Sequence, residues 1–227
     1  MDAYSRYARF SCRGGISMIK FEKQEVWGFD HAIRGMRNPM NSWDRSDTTF
    51  GLGEDYLNDM EIGQNDYDLM TRLINGGQPH RKFLRQIMVA VDITAPLYWW
   101  KEFDTYKVGT TANSCSTMHK IHAKEFVIDD FSHDHLTEFG MNHLCDTIWV
   151  LNNMRNSFLD SKDKAHWYDM IQTLPTSYNQ KRTVTMNYEN LLNMLEYRRG
   201  HKLDEWREFC EWIKTLPYGQ LLWDALT

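Results

Sequence analysis

One short run constrains this chain more than any other. Ile87-Met88-Val89-Ala90-Val91-Asp92-Ile93 is apolar and β-branched, and Pro96 closes it three residues later. A run this short and this apolar reads as a buried strand. Two weaker strand signals accompany it, at Met18–Phe29, rich in Ile, Phe, Val and Trp, and at Arg182–Met186. Helical patterns lie between and after them. Asp66–Ile74 stops at Gly76-Gly77, Leu97–Phe103 starts just after Pro96, and Lys164–Leu174 ends at Pro175. Tyr188–Tyr197 ends at Gly200, and Leu203–Thr215 is a last long helix. The longest expected helix is His133–Asp160, with Leu136, Phe139, Leu144, Ile148, Leu151 and Phe158 on one broad stripe. Arg37–Gly53 and Val108–His119 read as loops. Residues 1–17 lack any period and read as a flexible, dispensable leader ahead of a single domain, 18–227. Strands scattered among long helices make the fold class α+β.

Composition narrows the function classes. The 227 residues suffice for one full core. A net charge of −5, from 26 basic and 31 acidic residues, implies no dominant basic face and argues against a nucleic-acid polymer as partner, while a mononucleotide needs only a few placed cations. Cys12, Cys115, Cys145 and Cys210 show no CxxC pairing, so they read as reduced thiols of a cytoplasmic protein. No apolar run approaches the roughly 18 residues of a membrane span. Aromatic residues make up 14% of the chain. That content fits a Trp-rich core, a flat-ligand site or a large oligomer interface.

Three polar constellations are candidates for chemistry. Asn187, Asn193 and Arg198 follow the last strand signal. On a helix, Arg198 lies about 20° round from Asn187 and shares its face, whereas Asn193, about 240° round, needs a separate partner. An Asn amide can pair with a heteroaromatic edge and an Arg can fork onto phosphate, or the residues are simply a wet helix face. Pro79-His80-Arg81-Lys82-Phe83-Leu84-Arg85 places four basic residues at the entry to the buried strand, either as a pyrophosphate site or as a solvated basic turn. Glu102 to His119 is rich in Thr, Ser, Asn and Gly, which offer backbone N–H groups and hydroxyls to an anion, and Lys107 adds charge. Cys115 between two serines has no base fixed beside it. His119, His122 and His135, near Asp129, Asp130 and Asp134, lack metal-ligand spacing.

Taken in this order, the three segments resemble the flavin-dependent thymidylate synthases. That family has a conserved histidine, a strand ending in Ala-Pro, a helix, the signature RHRxxSxNExSxR and a C-terminal NxxxxxNxxxxR. Here His80, Thr94-Ala95-Pro96, Leu97–Phe103 and Asn187, Asn193 and Arg198 stand in that order over roughly residues 18–215. Thr105-Tyr106-Lys107 replaces RHR, Ser114 and Met118 replace the glutamate and last arginine, and Glu102 replaces a glutamine. The resemblance implies a mixed sheet with long helices, and a homotetramer with FAD clamped between subunits. It implies reductive methylation of dUMP, with methylenetetrahydrofolate as donor and NADPH as reductant. It places Lys107, Ser116 and Glu102 at the reacting centre. His80, Lys82, Arg85, Tyr106, Lys107, Asn113, Asn187 and Asn193 would hold the flavin, and Glu102, Lys107, Ser114, Ser116 and Arg198 the nucleotide. A flavoenzyme acting on another pyrimidine nucleotide, and a non-catalytic flavin- or nucleotide-binding homologue, are the alternatives.

Overall fold

The structure is a computed structural model and describes residues 19–51 and 60–226. The expected leader, residues 1–17, lies outside the described residues. The frame is a four-stranded sheet in the order β1-β2-β4-β3, with β1 at Lys20–Trp27, β2 at Met88–Pro96, β3 at Thr111–Ser114 and β4 at Asn179–Asn187. Every pairing is antiparallel, which corrects the expected mixed sheet. The residues explain the difference. Along β2, Val89, Val91, Ile93 and Ala95 are buried while the alternate residues are only half-buried. A parallel sheet is covered on both faces and needs a continuous apolar strand; an antiparallel one can leave a face wet. The wet face is polar. Lys181 pairs with Glu22 at 3.0 Å and Asp92 at 3.2 Å, and Thr183 donates to Asp92 at 2.6 Å.

Eight α-helices accompany the sheet among the described residues: α1 Phe29–Arg37, α2 Gln64–Asn75, α3 Leu97–Phe103, α4 Glu138–Ser161, α5 Lys164–Thr173, α6 Tyr188–Arg198, α7 Asp204–Thr215 and α8 Gly219–Asp224. Helix α1 is a correction, since Phe29 was expected to end a strand. Gly28 has φ +94 and stops the strand, after which Phe29, Ala32, Ile33 and Met36 bury at helical spacing. A Cβ on Gly28 would lie 2.1 Å from the Gln86 carbonyl oxygen. Gly28→Ala is therefore expected to cost about 1–2 kcal/mol in left-handed strain alone, with the collision added. Thermal unfolding checks this, and an unchanged midpoint would refute it.

Helix α4 starts five residues later than expected. The Thr137 hydroxyl caps it by accepting from the Gly140 N–H at 3.3 Å. Its expected stripe divides accordingly. Leu144 and Leu151 are buried with Met170 of α5 and with Phe126 and Phe131, whereas Leu136 and Phe139 face outward. Strand β3 falls inside the expected loop, because its four residues are all exposed and only the ladder to β4 defines it.

The main core lies between the inner sheet face and helices α1, α3, α6 and α7. Its centre is aromatic. Trp99 of α3 packs against Trp206 and Phe209 of α7 with ring centroids 4.8 and 5.7 Å apart, and Phe21 of β1 stacks on Trp212 at 4.6 Å. Much of the aromatic content is thus core, with Phe139 and Trp149 of α4 left 85% and 68% exposed.

Candidate active site

Helix α6 gathers the three polar segments. At its start, Asn187 is the last residue of β4 and the cap of the helix. Its side-chain oxygen accepts from the Asn190 N–H at 3.0 Å, and the Asn190 side chain returns the bond to the Asn187 N–H at 3.1 Å. The Asn190 amide also donates to the Val108 carbonyl at 2.6 Å. This pins segment 108–110 over the cap, and Gly109 is required there. Its φ is +78, and a Cβ would lie 2.9 Å from Asn190 Oδ1 and 3.1 Å from Asn187 Nδ2.

Further along α6, Arg81 Nε reaches both oxygens of buried Glu189 at 3.1 Å, and its Nη2 donates to Asn193 Oδ1 at 3.3 Å. Arg81 is thus the separate partner that Asn193 needs. Its neighbours His80, Lys82 and Arg85 are exposed. The basic turn therefore holds one cation bound to α6 and presents the others to solvent.

The C-terminal end of α6 carries Arg198. Its Nη1 donates to Glu102 Oε2 at 2.6 Å and its Nε to the Tyr106 hydroxyl at 2.9 Å. The guanidinium carbon sits 4.6 Å from the Trp206 ring centroid and 5.5 Å from that of Tyr106. Glu102 Oε2 also accepts from Trp206 Nε1 at 3.1 Å, and His201 Nε2 is 3.4 Å away. The sequence reading gives Arg198 to phosphate; in the structure its fork is closed on the chain's own carboxylate and phenol. The spacing on the helix could not reveal this, because Glu102 and Tyr106 are distant in sequence.

Tyr106 connects this cluster to a groove of about 350 Å³ lined by Phe103, Asp104, Tyr106, Lys107, Thr110, Ala112 and Arg182. Lys107 is exposed on its wall. The expected Ser114 pairs with Arg182 at the groove's edge, whereas Asn113 pairs with Thr183 and so points to the opposite, polar face of the sheet. Ser116 lies beyond β3. Its hydroxyl accepts from the backbone N–H groups of Met118 and His119 at 3.1 and 2.9 Å and is 3.0 Å from His119 Nδ1. The histidines of the 119–135 stretch go separate ways. His119 pairs with Ser116, His122 packs edge-on against Phe158 at 4.9 Å, and His135 pairs with Asp204 at 3.0 Å. Cys210 is buried, and burial pushes its thiol up to about 12, which leaves it inert.

Arg182 and Glu189 are polar residues the sequence reading did not single out. For Arg182, strand parity is the missed signal. Arg182 shares its face of β4 with buried Val184 and Met186, where a charge requires partners.

This assembly, an antiparallel sheet with α6 collecting amides and cations behind a polar groove, is the fold of the flavin-dependent thymidylate synthases. Thymidylate synthase X (ThyX) from Helicobacter pylori, solved with FAD and dUMP, superposes with a TM-score of 0.65 at 17% identity, over 92% of this chain and 98% of that one. A second structure of ThyX from the same organism, also complexed with FAD and dUMP, gives 0.63 at 17% identity, over 92% and 99%. The UMP/dUMP methylase PolB from Streptomyces cacaoi, bound with 5-Br dUMP, gives 0.63 at 14% identity, over 92% and 94%. No protein-family model and no curated protein matches the sequence. Among the described residues no helix is long and apolar enough to cross a membrane.

Proposed function

We propose that this protein is a flavoenzyme that methylates a deoxyuridine nucleotide, taking dUMP to dTMP with methylenetetrahydrofolate as donor and NADPH as reductant. The observation that carries the reading is the convergence of three separated polar segments on α6, in a fold whose solved examples bind FAD or a dUMP-like nucleotide.

The residues present fit a flavin. Exposed Lys82 and Arg85 beside His80 supply cations for a pyrophosphate, and Asn193 keeps its amide N–H groups for a ring carbonyl while Arg81 holds its oxygen. When bound, the flavin supplies the redox chemistry, and the protein's part is orientation and electrostatics. Tyr106 accepts from Arg198 and so has its own proton to donate into the groove. Lys107 sets an ammonium on the groove wall, where charge developing on a pyrimidine ring would be stabilised. A homotetramer with shared cofactor sites fits Phe139 and Trp149 on α4, large apolar side chains that are mostly exposed in the single chain.

Reconstitution is expected to load FAD and not FMN, because exposed Lys82 and Arg85 offer cations to a pyrophosphate. The double variant Lys82→Ala/Arg85→Ala is expected to weaken FAD binding by about one to two decades, as befits the loss of charge-assisted bonds of roughly 1.5–3 kcal/mol. Flavin absorbance after gel filtration reads the effect, and full loading of the variant would overturn the assignment. Product analysis with dUMP, methylenetetrahydrofolate and NADPH tests the reaction itself, and light scattering tests the tetramer.

A second reading has its own observation. With Thr105 and Met118 in place of family arginines, and Arg198 held by Glu102, the chain's cations are arranged differently from the family pattern. A related flavoenzyme acting on another pyrimidine nucleotide accommodates that. Turnover of a different nucleotide in the same assay, with dUMP inert, selects it.

A further inference from the structure

We propose that Arg182, with Lys107 on the same groove, is the phosphate-binding cation of this site, and that Asp104 is a built-in competitor for it. The proposal rests on the reading that the groove takes a nucleotide monophosphate.

Two arginines border the region, and they differ in how fully they are satisfied. Arg198 is enclosed. Two of its nitrogens are bonded within the chain, two rings flank it, and its carboxylate partner Glu102 is itself held by Trp206 and His201. A phosphate there would have to break a closed network. Arg182 is preorganised but only loosely neutralised. Its guanidinium carbon lies 4.3 Å from the Trp100 ring centroid, and its Nε donates to Gln180 Oε1 at 2.9 Å. Gln180 is fixed in turn, because its amide donates to the Cys115 carbonyl at 2.7 Å and its own carbonyl accepts from Trp100 Nε1 at 2.9 Å. The guanidinium plane is therefore set by the core and not by solvent.

The remaining partner of Arg182 is Asp104, whose Oδ1 accepts from Nη1 at 2.7 Å. The Arg182 side chain is 13% exposed, but that of Asp104 is 49% exposed. An ion pair with one half in solvent holds weakly, and a doubly charged phosphate with more acceptor oxygens competes well for the same fork. Lys107 supplies a second cation on the same groove. A volume of about 350 Å³ falls within the range of small-ligand sites, about 300–1,000 Å³. Arg182 occupies an inward position of β4, opposite Ser114 of β3, which ties this anion site to the segment where the signature departs from its family.

The test uses the full chain and three probes: dUMP, deoxyuridine, which lacks the phosphate, and inorganic phosphate, each titrated calorimetrically. Arg182→Gln is expected to weaken dUMP binding about 10- to 100-fold and to leave deoxyuridine unchanged. Arg182→Lys keeps the charge without the fork, and is expected to recover part of the loss. Asp104→Asn is the decisive variant, because a structural role predicts a loss and the competitor role predicts a gain. It is expected to tighten dUMP and phosphate binding by about threefold or more and to leave deoxyuridine alone. Should dUMP bind with an affinity indifferent to Arg182 and Asp104 in folded variants, the subsite is wrong and the function stands. Should inorganic phosphate bind through Arg182 while dUMP does not bind, the subsite stands and the nucleotide reading fails. Binding of neither by the wild type overturns both.

Discussion

Asp66→Asn is expected to destabilise the protein by about 3–5 kcal/mol, the scale for breaking a buried ion pair from one side. Asp66 is fully buried at the start of α2 and Arg37, from the end of α1, is 3% exposed. One carboxylate collects five donors: Arg37 Nε at 2.6 Å, the Ser46 and Thr48 hydroxyls at 2.7 Å each, and the Asp47 and Thr48 backbone N–H groups at 3.1 Å each. Segment 42–49 buries no large apolar side chain, and this carboxylate ties it to the domain together with the two backbone bonds between Thr49 and Glu61. Asp47 closes the arrangement by accepting from the Asn65 and Asp66 N–H groups at 2.9 and 3.1 Å. An amide at position 66 keeps the shape and leaves the Arg37 charge buried without a counter-ion. For a domain of this size, each kcal/mol moves the melting temperature by about 2–4 °C, so a fall on the order of 10 °C is expected. A change below about 1 kcal/mol in urea unfolding would falsify the reading.

The same carboxylate gives a pH dependence with a definite sign. Burial pushes the Asp66 carboxyl up, but the hydrogen bonds from Thr48 and Ser46 and the Arg37 guanidinium together outweigh it and hold it below the usual carboxylate range. A group whose folded value is lowered contributes stability that is fully present above its unfolded value, about 3.9, and is lost as pH falls through the folded value. Acid sensitivity below about pH 4 is therefore expected to be smaller in Asp66→Asn than in wild type.

Arg198→Ala is expected to cost about 2–4 kcal/mol of stability. The loss combines a charge-assisted bond to Glu102, about 1.5–3 kcal/mol, with the cation's contact with the Trp206 and Tyr106 rings, about 0.5–2 kcal/mol, and the two are not fully additive. With Arg182 taken as the phosphate ligand, the affinity for dUMP is expected to change by less than about threefold. The two measurements separate the roles of the two arginines. A loss of dUMP affinity of one to two decades with an unchanged melting temperature would return the phosphate to Arg198. Glu102→Gln serves as the companion variant. It leaves the Arg198 charge uncompensated, so it is expected to lower stability while changing dUMP affinity by less than about threefold.

Much of the scaffold was legible in the residues. The run at 87–93, closed by Pro96, specified the central strand. The stops of α2, α5 and α6 and the start of α3 followed from glycines and prolines, all of them local signals. The order of His80, Ala95-Pro96, Asn187, Asn193 and Arg198 pointed to the fold that the superpositions carry. Local signals failed where stability is not local. Strand β3 is exposed on all four residues and exists through its ladder to β4, which no side-chain pattern records. Helix α1 needed the backbone of Gln86 pressed against Gly28, a contact across 58 residues of chain.

For the site, the sequence determined which polar residues are present and tertiary structure decided which of them are occupied. Asn187, Arg81 and Arg198 all carry the right chemistry for a ligand. Folding commits the first to a helix cap, the second to Glu189 and Asn193, and the third to Glu102 and Tyr106. Arg182 carried no motif, and its place on the groove follows from strand parity and the covering ring of Trp100. A charge's value to a ligand depends on what already neutralises it, and its neutralising partners are brought from far along the chain only when the chain folds.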